Sequence, residues 1–138
     1  MPNNIVTKGK LMNNKPRIVF FSIQTPTTTN SEYALGVEAG LSQYGFKKVL
    51  GSYNGQLEDS YMVIASEDKA LDYVISIAKD FNQESILIVD ENRKASLLKL
   101  YESMTEEIEL GDFVSITALE AQSLENWTLD GTNYYSVK

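Results

Sequence analysis

With 138 residues, 43% of them hydrophobic and 22% charged, the chain has the size and composition of one globular domain that buries a core without staples. It contains no cysteine and no histidine, which excludes thiol nucleophiles, disulfides, imidazole bases and the usual zinc ligands. A net charge of −7 argues against a nucleic-acid backbone as partner; it suits a cationic small molecule, a basic protein or plain solubility. Carboxylates, Tyr, Ser, Thr, Lys and backbone dipoles are left for any chemistry. A metal would have to be a hard ion held by oxygen, and no Asp-rich calcium loop is present, so no metal or cofactor is expected. No apolar run approaches the ~20 residues of a membrane span, and the N-terminus lacks a hydrophobic signal core. The expected location is the cytoplasm.

Residues 1–15 (MPNNIVTKGKLMNNK) show no periodicity and read as a flexible arm before a single α+β domain over 16–138. Arg17 to Ile23 (RIVFFSI) reads as a buried strand, followed by a polar loop, QTPTTT. Asn30 or Ser31 is positioned to cap a helix reaching about Tyr44, with Tyr33, Ala34, Val37, Leu41 and Tyr44 inward and Gly45 as its stop. Phe46 to Tyr53 reads as a second strand, and Asn54-Gly55 as a tight turn that Gln56 and Leu57 extend. A third strand carries the acidic stretch Leu57-Glu58-Asp59-Ser60 and ends at Ala65. Ser66-Glu67-Asp68 then starts a helix, with Ser66 as hydroxyl cap, whose apolar positions from Ala70 to Phe81 recur at three- and four-residue spacing. Asn82-Gln83 closes it before the fourth strand, Ile86 to Val89.

The order is thus β-α-β-β-α-β, the ferredoxin-like split pattern. Beyond it, Ala95 to Tyr101 is assigned to a strand, 102–112 (ESMTEEIELGD) to an acidic loop, and Phe113 to Thr117 to a short strand. Ala118 to Asn126 is irregular or a helical turn, and Trp127 to Val137 is a hairpin around Asp130-Gly131. Two helices cover only one face of a four-stranded sheet. Phe20, Val49, Met62 and Ile88 suggest a second apolar face, which three sheets around an axis or the C-terminal strands would bury.

Three polar groups fall at element ends: Ser22 to Thr25, then Ser52-Tyr53 with Glu58 and Ser60, then Asn82-Gln83. Adjacent first and third strands would let Ser22 approach Ser60. The bland alternative is that Ser52, Asn54 and Gly55 only build a turn while Glu58 and Asp59 are solvated edge charges. No phosphate-loop spacing is present. Trp127, Tyr134 and Tyr135 fit core or interface anchors better than a base-stacking platform. Glu58 stands between a loop and a buried strand, where burial perturbs a carboxyl, which makes it a site candidate.

The ordered set LEDSYMVI, Asp68-Lys69-Ala70, FNQES running into ILIV, and WTLDGT near the C-terminus resembles the small S-adenosylmethionine (SAM) lyases of bacteriophages, formerly called SAM hydrolases. The likeness spans about Arg17 to Val137 in element order and the central third in residues. It implies a homotrimer of split β-α-β subunits, similar in outline to PII-type proteins, with sites between subunits and Glu58 as the required glutamate. A looser likeness, carried by Gly51, Tyr53, Gly55, Glu58, Ser60 and Tyr61, is to small bacterial domains with no agreed activity.

The implied reaction needs no His, Cys, metal or activated water: the substrate's own carboxylate attacks its γ-carbon, giving methylthioadenosine and homoserine lactone. Glu58 is then the catalytic candidate, anchoring ribose or ammonium. Ser22, Gln24, Tyr53 and Ser60 are substrate-binding candidates for the polar ends, and Gln83 for an adenine edge. The alternatives are SAM hydrolysis to homoserine with Glu58 as general base, a non-catalytic PII-like trimeric nucleotide-binding protein, and an acidic decoy for a protein partner.

Overall fold

The computed structural model describes residues 16–25 and 27–138, so the arm expected over 1–15 lies outside the described residues. Eight strands dominate: β1 (Arg17–Phe21), β2 (Phe46–Tyr53), β3 (Gln56–Ala65), β4 (Ser85–Val89), β5 (Lys94–Leu100), β6 (Thr105–Ile116), β7 (Trp127–Asp130) and β8 (Asn133–Val137). The helices are α1 (Ala34–Leu41), preceded by a 3-10 turn over Ser31–Tyr33, α2 (Asp68–Asp80) and the short α3 (Ala118–Gln122). The strands pair in the order β1-β3-β2-β7-β8-β6-β5-β4, and β4 returns to β1, so the sheet closes into a barrel. Every pairing is antiparallel.

This corrects the expected ferredoxin-like βαββαβ sandwich; the expected C-terminal hairpin is present as β7 and β8, closing at Asp130↔Asn133, but as part of the barrel wall. The first six elements do run β-α-β-β-α-β, but β5 to β8 curl over the second face and close the sheet on itself. The reason is visible in two separate apolar clusters. Val19, Phe21, Val63, Ile86 and Ile88 pack with Val37 and Leu41 of α1 and Val74 and Ile77 of α2, outside the barrel. Phe20, Val49, Leu87, Val89, Ala95 and Phe113 meet inside it, with Met62, Tyr135 and Val137 beside them. The second apolar face is therefore buried within one chain, which removes that ground for a trimer. Ile88 belongs to the helix side; in β4 it is Leu87 and Val89 that face the lumen.

Several local expectations also shift. Asn54 and Gly55, at φ 53° and 82°, close a true two-residue hairpin between Tyr53 and Gln56, so Gln56 and Leu57 belong to β3 rather than to a longer loop. Neither Asn30 nor Ser31 caps α1 with a side-chain bond; the Asn30 amide instead donates to the carbonyl of Ile23 at 2.7 Å. Tyr33 is 54% exposed rather than inward. Ser66 does not cap α2: the N-cap is Glu67, without a side-chain bond, and Asp68 in the first turn takes the Arg17 guanidinium at 2.9 Å. The expected acidic loop at 102–112 is mostly strand, since β6 runs from Thr105 and pairs with β5 from Leu100↔Thr105 onward.

Candidate active site

The lumen is packed at its centre and open at one end, where β1 and β2 finish and β3, β4 and β7 begin. A cavity of about 690 Å³ lies there. Five of the six residues singled out from the sequence line it: Ser22, Gln24, Tyr53, Glu58 and Gln83. Barrel closure thus brings the three polar element ends to one mouth. Ser60 is the exception. It is buried, does not line this cavity, and borders a second cleft of about 250 Å³.

A hydrogen-bonded chain knits the mouth where β1 parts from β3. The Ser22 hydroxyl donates to the carbonyl of Asp59 at 2.8 Å and accepts the Gln24 N–H at 2.9 Å. The Gln24 side-chain oxygen accepts the Asp59 N–H at 2.8 Å, and the Gln83 amide donates to the Gln24 carbonyl. Both backbone groups of Asp59 are therefore held by side chains, which fixes the segment that carries Glu58. Gln83 directs its two amide donors to the Gln24 carbonyl and, at 3.4 Å, the Phe81 carbonyl, which leaves its side-chain oxygen for a ligand. Ser52, predicted near the site, is buried and donates to the Glu125 carbonyl at 3.0 Å, anchoring the turn before β7.

Burial raises the Glu58 carboxyl above its ordinary range, with the Ser22 hydroxyl opposing the shift. Burial also pushes the Tyr53 hydroxyl up to about 12, the Glu58 charge adding to it and the Thr128 and Ser60 hydroxyls opposing it. At neutral pH Tyr53 is therefore a neutral donor beside an acid whose charge lacks full solvation.

The inner wall is aromatic. Phe113 stacks on Tyr135 with ring centroids 5.2 Å apart and an interplanar angle of 11°, and it meets Phe20 at 5.5 Å. Trp127 and Thr128 join the wall from β7. Sequence reasoning missed Phe113, Thr128 and Tyr135 as site residues. The period of two through Thr128 and Tyr135 was the available signal, but only closure tells which face is the lumen. Among the described residues lining the cavity there are two carboxylates, Glu58 and Glu84, and no Lys or Arg. Such a wall favours a ligand of net positive charge with an aromatic or apolar body.

The S-adenosylmethionine lyase family model matches residues 24–138, which is most of the chain and all of this cavity except its β1 side. The chain belongs to the S-adenosylmethionine lyase family. A comparison with curated proteins finds no match. The protein is accordingly a SAM lyase, an enzyme, and its substrate carries the net positive charge that the wall of the cavity favours.

Proposed function

We propose that the lyase folds its substrate so that the methionine carboxylate attacks its own γ-carbon within the cavity at the barrel mouth. The carboxylate oxygen bonds to Cγ, the Cγ–S bond breaks, and the electron pair neutralises the sulfonium, giving methylthioadenosine and homoserine lactone. One observation carries this reading: no described residue of the wall is a Lys or Arg. The substrate carboxylate thus meets no salt bridge there that would hold it straight or lower its nucleophilicity. An already ionised nucleophile needs only to be held near the carbon it attacks. The charges annihilate as the ring closes, so the apolar wall from Phe20, Phe113 and Tyr135 favours the transition state over the zwitterion.

This chemistry limits what Glu58 does. A carboxylate about 4 Å from the sulfonium would stabilise the bound substrate by roughly 4 kcal/mol at an effective dielectric of about 20. That stabilisation would vanish as the sulfonium is neutralised, slowing the step. The ammonium keeps its charge throughout. Glu58 is therefore assigned to the ammonium or the ribose diol, with Ser22, Gln24 and Tyr53 at the polar ends and the Gln83 carbonyl oxygen toward the adenine amine. The buried Ser60 acts behind Tyr53 rather than on substrate.

Incubating the protein with SAM and a chelator should yield methylthioadenosine and homoserine lactone in equal initial amounts. Homoserine as the first product would replace lactonisation by hydrolysis, with Glu58 as general base.

A further inference from the structure

Three lumen-facing positions stand in one row across the sheet: Thr128 of β7 pairs with Gly51 of β2, and Gly51 pairs with Glu58 of β3. The middle position has no side chain, yet its backbone does not ask for glycine. Gly51 is absent from the positive-φ residues and lies within a regular strand. What fills the gap is the ring of Tyr53, two residues along the same face. A Cβ at Gly51 would lie 2.8 Å from Tyr53 Cε2, 3.3 Å from its Cζ and 3.4 Å from the Ser60 hydroxyl. The first distance is closer than atoms of this kind approach, so the ring rests on the bare backbone. Thr128 and Ser60 are both buried, and their hydroxyls are the polar neighbours of the Tyr53 hydroxyl. The ring rests on Gly51 from below, and its hydroxyl has those of Thr128 and Ser60, from different strands, as neighbours.

We propose that Gly51 and Thr128 are positioning residues of the lyase reaction, which seat Tyr53 so that its hydroxyl faces substrate beside Glu58. Gly51 acts by its missing side chain and Thr128 by its hydroxyl; neither is assigned a contact with substrate. The proposal rests on the reading of Tyr53 as a substrate contact, and its test separates the two. A misplaced contact of about 1 Å typically costs up to a hundredfold in rate.

The experiment is a double-mutant cycle on the full chain, read by initial rates with SAM and by ¹⁹F NMR of protein labelled with 3-fluorotyrosine. Gly51→Ala should lower kcat/KM by roughly ten- to a hundredfold. In a Tyr53→Ala background, where the slot is open, the same change should alter the rate less than about twofold. Thr128→Val should lower kcat, and Thr128→Ser should restore it; this pair keeps the proposal open to refutation if Gly51→Ala does not fold. The Tyr53 resonance, assigned by its loss in Tyr53→Phe, should move in Gly51→Ala, where a Cβ displaces the ring from its seat. Equal costs of Gly51→Ala with and without the ring, or an unmoved resonance, would overturn the seat. Full activity of Tyr53→Ala would overturn the substrate role of Tyr53 and the proposal with it, while leaving the lyase reading intact. Because the resonance does not depend on turnover, it tests the seat even if SAM is not consumed.

Discussion

Truncating Phe113 asks whether the lumen is a closed core. Phe113 sits on β6, 4% exposed, between Phe20 of β1 and Tyr135 of β8, so its ring joins opposite sides of the barrel. Burying a phenylalanine contributes about 1.5–3 kcal/mol. Each of its two ring pairs adds about 0.5–1.5 kcal/mol beyond area. Phe113→Ala should therefore cost about 3–5 kcal/mol, the usual range for a buried Phe, out of the roughly 5–15 kcal/mol that holds a domain together. Urea unfolding should show a midpoint lower by roughly 2 M, given a slope of about 1–3 kcal/mol/M. A loss below about 1 kcal/mol with unchanged slope would mean that β6 does not close the lumen. In a sheet that ended at β4, residue 113 would be peripheral and the cost would be small.

Other consequences follow from single side chains. Glu58 has a folded pKa above its ordinary value, so the folded protein binds this proton more readily than the unfolded chain, and stability falls as pH rises from the ordinary carboxylate range to the folded pKa. Glu58→Gln should thus raise Tm relative to the parent above that window, the gain disappearing as pH drops below about 4, while lyase activity falls; a variant less stable at neutral pH would contradict this. Thr117 accepts the Glu120 N–H and Glu120 accepts the Thr117 N–H, each at 3.0 Å, forming a capping box at α3. Thr117→Ala should cost about 1 kcal/mol in urea unfolding without changing kcat, because α3 lies away from the cavity lining.

What the residues disclosed depended on how far each interaction reaches along the chain. The bounds of β2 and the course of α2 were legible because local alternation and 3.6-residue periodicity carry them. The face of Ile88 was not, since ILIV is apolar on both sides and its parity is set only by register with β1 and β5. Residues 105–110 hid a strand because all six are exposed, so no buried alternation marks it. The polar mouth was partly legible, as Ser22, Tyr53, Glu58 and Gln83 each sit at an element end. Phe113, Thr128 and the role of Gly51 depend on strands meeting across the closed sheet; local alternation marks a face but not which face is the lumen.

The most direct test of the central claim is the position of solvent oxygen in the product. The lyase should be run with SAM in water enriched in heavy oxygen, quenched rapidly, and its product analysed by mass spectrometry. Lactone closure takes both ring and carbonyl oxygens from the substrate, so the first product should be unlabelled homoserine lactone. Homoserine formed later by ring opening should carry the label on its carboxylate. Label on the γ-hydroxyl of homoserine would contradict intramolecular attack and assign the bond-breaking step to water.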